Sequence, residues 1–341
     1  MTQIIPKKII AVETNWQKEL RMGFSRLDNL LEYLAIDLPD ADAHASAKTL
    51  FPMRVPRPFA DLMQVGNIND PLLQQVMPHR DEFIEIDGYS KDPLHEQDNA
   101  TRGILHKYQS RVLLLVRGGC AVNCRYCFRR HFPYADNAMN KHDWLEALAH
   151  IRHDTNINEV IFSGGDPLMA KDSHLAWLAQ QIADISHVKR LRIHTRLPVV
   201  IPARVDSDFL AWISQSRLQT IVVLHVNHAN EIGNELASKL NELKGAGVLL
   251  FNQSVLLKGV NDKADALVEL QEKLFSHGVL PYYLHMLDKV SGASHFDVNE
   301  EQARALMRAM IKRLPGFLVP RLVREIGGQP GKTPIDLRLI P

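Results

Sequence analysis

The chain is poor in cysteine, with three in 341 residues, all between positions 120 and 127. An odd, clustered set of thiols does not make a disulfide framework, which belongs mostly to small secreted chains. An excess of charge of one sign is also lacking. Forty basic and 39 acidic residues leave a formal charge of +1, so no overall field favours nucleic acid or a membrane surface. No run approaches the ~20 apolar residues that a membrane span requires. The opening stretch MTQIIPKKII has no apolar core followed by a cleavage site, so nothing in it reads as an export signal. Internal repeats and low-complexity segments are absent as well. The expectation is a soluble, cytoplasmic protein in a compartment that keeps thiols reduced, with neither nucleic acid nor membrane as partner.

What is present is a rhythm. Phe24, Leu27, Leu30, Leu31 and Leu34 recur at helical spacing, and the prolines of FPMRVPRPFADLM then interrupt regular structure before another short helix. From about residue 105, β-rich runs at 111–116, 159–164, 190–195, 220–226, 248–256 and 282–287 alternate with helical stretches at 142–152, 173–185, 230–244 and 264–277. Such alternation argues for an α/β fold with a parallel sheet covered by helices. Six βα units, rather than eight, predict a partial, open (β/α)6 barrel. Residues 1–104 then form a mainly helical N-terminal region, 105–295 the barrel and 296–341 a C-terminal segment. In barrels of this kind the chemistry sits at the C-terminal ends of the strands. The polar clusters GGCAVNCRYC, SGGDP, HTRLP, HVNH, NQS and HMLD each follow a strand, which points to a single site at one mouth.

Cys120, Cys124 and Cys127 are spaced three and then two residues apart. A structural zinc site would need a fourth ligand, for which His131 is near. A catalytic thiol would need one cysteine only. Three thiolates on a four-iron cluster leave one iron open to a substrate. The pattern, with Tyr126 before the last cysteine, resembles the signature of the radical S-adenosylmethionine (SAM) enzymes. That resemblance implies a [4Fe–4S] cluster whose open iron chelates SAM, and a barrel of the radical SAM type. It also gives Gly164, Gly165 and Asp166 of SGGDP a contact with the cofactor's methionyl amine. Read alone, SGGDP is a tight turn, although two glycines suit close backbone approach.

REIGGQPGKTP near the end carries Lys332 in a Gly-rich loop. By itself this is a solvated surface lysine. Together with YQSRVLLLV, CRYCFRRHF, FSGGDPL, HTRLPVVIPARV, HVNH, NQSVLLKGVND and PYYLHMLD, in that order, it resembles the lysine 2,3-aminomutase family from about residue 100 onward. The resemblance implies pyridoxal 5′-phosphate joined to Lys332 as a Schiff base, with Lys107 and Arg111 near it and Tyr108 stacked on its ring. It implies that His225 and Gln253 contact SAM and that Arg129 holds the substrate carboxylate. Asp288 and Glu325 would receive the ε-ammonium of free L-lysine. Glu325 stands where the family has an aspartate.

The implied activity is an isomerisation of L-α-lysine to β-lysine. The absence of further cysteines after the Lys332 loop is similar to the shorter branch, which makes (R)-β-lysine for modification of translation elongation factor P. Free lysine, a reducing electron donor such as flavodoxin, and a functional link to elongation factor P and its ligase are the partners this implies. Glutamate 2,3-aminomutase is the alternative within the class, disfavoured by two distal carboxylates. From other classes, a cluster-bearing redox protein or an RNA-modifying enzyme remains open, the latter because Arg125, Arg129, Arg130 and His131 make a basic run.

Overall fold

The structure, a computed structural model, describes residues 15–97 and 103–339. The opening MTQIIPKKII lies outside the described residues. The N-terminal region is a series of short helices: α1 (Asn15–Arg21), α2 (Leu27–Tyr33), α3 (Ala41–Ala45), α4 (Arg57–Ala60) and α5 (Pro71–Gln74). The apolar positions from 24 to 34 do not all belong to one helix. Leu27, Leu30 and Leu31 form the buried face of α2, but Phe24 lies before it in an isolated antiparallel bridge with Val55. Pro56 stands as the cap residue at the start of α4, where a missing N–H costs nothing.

A nine-stranded sheet follows, with strands paired in chain order. These are β1 (Ile104–Tyr108), β2 (Arg111–Arg117), β3 (Glu159–Gly164), β4 (Arg190–Thr195), β5 (Gln219–Leu224), β6 (Leu249–Val255), β7 (Leu280–His285), β8 (Arg321–Arg324) and β9 (Thr333–Pro334). Strands β2 to β8 run parallel to their neighbours. The outermost pairs, β1 with β2 and β8 with β9, are antiparallel. Helices α6 (Lys141–His153), α7 (Asp172–Ala183), α8 (Leu197–Val200), α9 (Ser207–Ser214), α10 (Asn234–Gly245), α11 (Ala264–Ser276) and α12 (Glu300–Arg313) connect the parallel strands.

The six expected strands are thus all present, within two residues of their expected bounds, and the sheet is an open, partial barrel. Three strands go beyond the periodic pattern. Strand β1 mixes His106 and Lys107 into a five-residue run, β8 has four residues, and β9 has two including Pro334. Runs this short and polar carry little alternation to read.

The core explains why the central strands read so clearly. All six residues of β3 are buried, as expected of a strand covered on both faces. Even Glu159 is buried, because Arg190 and Arg192 of β4 pair with it. One hydrophobic cluster joins Leu30, Phe59 and Leu72 of the N-terminal helices to Val112, Phe162 and Ile193 of the sheet. A second gathers Leu267, Met307 and Met310 of α11 and α12 against Leu284 and Leu322. Among the described residues no helix is long and apolar enough to cross a membrane.

Candidate active site

The C-terminal ends of the strands face one cavity of about 720 Å³, and the fifteen residues to which the family resemblances give a role all line it. The cavity has a sulfur end and a lysine end.

At the sulfur end the three cysteines are free and half-buried. Their loop is braced by the N-terminal region: Asn123 donates its backbone N–H to Arg54 O (3.0 Å), and Arg125 donates its own to Gln75 O (2.9 Å). Arg54 in turn donates to Cys120 O (3.1 Å). The basic run is not a surface. Arg125 is fully buried, and Arg129 and Arg130 are buried too. Glu82, itself buried, accepts from both Arg125 (2.5 Å) and Arg130 (2.6 Å). Removing one member of such a group typically costs ~3–5 kcal/mol, since a buried charge is left uncompensated. His131, the alternative zinc ligand, has its Nε2 against Ser291 O (3.2 Å).

The SGGDP turn closes against this loop. Gly164 has φ +122°, and a Cβ there would stand 2.4 Å from Arg117 O; one on Gly165 would stand 2.7 Å from the carbonyls of Gly118 and Gly119. Glycine is therefore required so that the β3 turn can lie against the β2 turn. The Asp166 carboxylate is well supplied with donors. It accepts from the N–H of Leu168 (3.0 Å), Arg196 (2.8 Å) and Leu197 (2.9 Å), and from Thr195 Oγ1 (2.8 Å). Burial nevertheless keeps its pKa above the ordinary aspartate value. Sequence reasoning gave Asp166 a ligand contact; its visible work is to tie the β3 turn to the β4 turn.

His225, after β5, faces Tyr126, with Nε2 3.0 Å from the phenol oxygen. Burial, with Arg196 beside it, drives its pKa down to about 3, so the ring is neutral. Gln253 of β6 lines the same space.

At the lysine end, Lys332 Nζ donates to Glu325 and lies 5.8 Å from the centre of the Tyr283 ring. Glu325 also accepts from Tyr108 Oη (3.3 Å) and Lys107 Nζ (3.5 Å). Burial pushes its carboxyl up, but Lys332, Lys107 and Arg129 outweigh this and hold it at about 2. Asp288 shows the opposite balance. Burial and the neighbouring Glu325 raise its pKa to about 7, against the pull of Lys332. The Arg111 guanidinium covers the Tyr108 ring at 3.8 Å. Arg129 donates Nε to Glu96 Oε2 (2.6 Å) and Nη2 to Oε1 (3.1 Å), and Lys107 donates to the same carboxylate (2.6 Å).

Residues 114–270 match the Radical SAM superfamily. Over 326 residues the chain is 52% identical to the L-lysine 2,3-aminomutase of Escherichia coli (strain K12), covering 95% of each. The chain belongs to the L-lysine 2,3-aminomutase family. With the same-named protein of Haemophilus influenzae it shares 50% identity over 333 residues, covering 97% of this chain and 98% of that one. With that of Clostridium subterminale it shares 31% over 323 residues, covering 94% and 77%. The aminomutase family makes this chain an isomerase of the radical SAM class, whose cofactors are a [4Fe–4S] cluster and SAM.

The donor set of this family member fits such a cluster. Burial, followed by the neighbouring Cys127, raises the pKa of Cys120; burial, followed by Cys124, takes Cys127 to about 11. Thiols that oppose one another's ionisation are relieved by a cation among them. Among the described residues no three donors close on the point a single ion would need. A cluster asks less of them, one thiolate per iron.

Two further groups that sequence reasoning passed over line the cavity, Glu96 and Arg196. Glu96 lies in an irregular loop with no motif around it, and only the fold brings it to Arg129. Arg196 was visible within HTRLP, at a strand end, but carried no assigned role. It donates Nη1 to Cys124 Sγ (2.8 Å) and Nη2 to Gln75 Oε1 (2.7 Å) and Glu231 Oε2 (2.9 Å).

Proposed function

We propose that this aminomutase acts on free L-lysine and uses pyridoxal 5′-phosphate carried on Lys332 together with its cluster and SAM. The observation that carries the proposal is one cavity in which Lys332, a guanidinium and two distal carboxylates face three cysteines. The chemistry supplied by the bound groups is abstraction of an unactivated hydrogen, which no side-chain base performs, and a carbonyl-derived π system for the migrating nitrogen. The protein's share is position and charge. Lys107 and Arg111 suit the phosphate as cations, and Tyr108 offers its ring face. Gly164, Gly165, Asp166, His225 and Gln253 are proposed to receive SAM. Arg129 suits the substrate carboxylate, because a guanidinium grips two oxygens at once; Glu96 occupies those donors until substrate displaces it.

The distal end explains selectivity. The Lys332 ammonium sits beside Glu325 and keeps the place of a substrate ammonium. With Lys332 engaged as the cofactor's anchor, its charge would be withdrawn and Glu325 would be left with Asp288 to receive the ε-ammonium of lysine. A glutamate side chain would meet two like charges there instead. The resemblance extends the proposal to (R)-β-lysine as product, made in the cytoplasm with an electron donor such as flavodoxin and passed to a ligase acting on elongation factor P. Support for that branch is the higher identity to the Escherichia coli relative, 52%, than to the Clostridium one, 31%.

The test is anaerobic incubation of reconstituted protein with SAM, pyridoxal phosphate, a reductant and either lysine or glutamate, followed by chiral chromatography. β-Lysine from lysine and no product from glutamate is the expected outcome. Turnover of glutamate in place of lysine would sink the reading.

A further inference from the structure

Arg196 stands at the head of α8, and its guanidinium is buried, with 7% of the side chain exposed. Its placement is unusual for a structural ion pair. One nitrogen, Nη1, is given to Cys124 Sγ at 2.8 Å and to the Tyr126 hydroxyl. The other terminal nitrogen is held from behind by Gln75 and Glu231. Glu231 has a fully buried side chain, and it is itself fixed by three further donors: the backbone N–H of Asn227 (2.9 Å) and His228 (3.0 Å) and the side-chain amide of Gln75 (3.1 Å). Asn227 completes the mesh by donating to Gln75 Oε1 (2.9 Å) and Tyr126 Oη (2.7 Å). Glu231 thus sets where the arginine points, and the arginine points at a cluster ligand.

We infer that Arg196, aimed by Glu231, sets the reduction potential of the iron–sulfur cluster by donating a charged N–H to the sulfur of Cys124. The step concerned is a one-electron reduction of [4Fe–4S]2+ to [4Fe–4S]1+, the electron coming from a low-potential one-electron donor. The added electron spreads onto the thiolate sulfurs. A cation and an N–H at one of them favour the reduced state, and hydrogen bonds to the sulfurs are among the determinants of such potentials. Arg196 is a tuning residue, acting through Cys124, and the inference stands whether or not lysine is the substrate.

Two variants read with the same instrument test it: Arg196→Gln, which removes the charge, and Glu231→Gln, which removes the anion behind it. Each is reconstituted anaerobically, assayed for iron and sulfide, and titrated with dithionite in the absence of SAM while the reduced cluster is followed by electron paramagnetic resonance. At the parent's midpoint, Arg196→Gln should lower the reduced-to-oxidised ratio at least tenfold, a downward shift of 59 mV for a one-electron couple. Glu231→Gln should raise the ratio several-fold, because the arginine's charge is no longer offset. Opposite signs are the signature of electrostatic tuning. Shifts of the same sign, no shift in either, or loss of iron from both would overturn the inference, since a merely structural pair moves both variants together. If Arg196→Gln alone fails to retain iron, the Glu231→Gln titration decides: an upward shift supports tuning, and an absent or downward one refutes it.

Discussion

At the sulfur end of the cavity the candidate ligands come from eight consecutive residues, whereas at the lysine end the charged groups are scattered along the chain: Glu96, Lys107, Arg111, Arg129, Asp288, Glu325 and Lys332. The partners differ as well. Around the cysteines, Arg125, Arg130 and Arg196 are held by buried carboxylates that do not line the cavity, Glu82 and Glu231. At the lysine end the charges pair with one another across the space a ligand would enter. The first construction rests on partners that a ligand in the cavity does not have to displace. In the second, each ion pair is a contact that a ligand can take over, so substitutions there should act on particular ligands and by degrees.

The sharpest way to break this comparison is at the cysteines. Replacing Cys120, Cys124 or Cys127 by Ala should abolish reductive cleavage of SAM and lower the iron content below four per chain, read by metal analysis and by 5′-deoxyadenosine formation. A variant that kept both would show that its thiol is not a ligand.

Next in size is Lys332→Ala. It should lose the borohydride-trapped pyridoxal adduct, mapped by peptide mass spectrometry, while the iron content and electron paramagnetic resonance signal stay at parent values. Loss of iron along with the adduct would mean that the two ends are not independent.

Asp288→Asn should lower kcat/KM for lysine by roughly two to four orders of magnitude, on the basis of ~3–5 kcal/mol for a broken buried pair. In the parent, kcat/KM should climb as pH rises through about 7, where Asp288 ionises and can attract an ammonium; the Asn variant should lack that step. Stability of the ligand-free protein should move the other way. The folded state keeps this proton up to about 7 while the ordinary value is 3.8, so the parent loses stability between those pH values and the Asn variant does not. Urea titrations across that window check the sign.

Glu325→Asp should have the smallest effect, a several-fold change in kcat or in product configuration. The charge survives, but one methylene less strains the simultaneous contacts to Lys332, Tyr108 and Lys107. Parent-like kinetics and product would show that reach at this position does not matter.

The same contrast governs what could be read from sequence. Among the six parallel strands β3 was the clearest, because burial on both faces writes a continuous apolar run, EVIFSG; the other five stood out by β-rich runs alternating with helical stretches. The cysteine loop stood out because its three thiols are neighbours in the chain. Lys107, Arg129, Asp288 and Glu325 became candidates through resemblance to a family, since their spacing in the chain carries no pattern. Glu96 carried no signal even so: its partners Lys107 and Arg129 are 11 and 33 residues away. Arg196 and Glu231 belong to two neighbouring strand–helix turns, and only the folded sheet makes them one device. Strands β1, β8 and β9 were missed for a related reason, being short pieces at the rims whose alternation is too brief to register.

Those rims meet. The Lys107 and Tyr108 side chains on β1 reach Glu325, just past β8, yet no backbone ladder joins β1 to β9 among the described residues. The barrel wall therefore has a seam closed by side chains alone, and the lysine end of the cavity lies along it. Backbone amides in β1 and β9 should exchange with solvent deuterium well ahead of those in β3 to β5. A ligand spanning Tyr108 and Lys332 would act as a clasp across the seam, slowing exchange at both rims at once and leaving the centre of the sheet as it was.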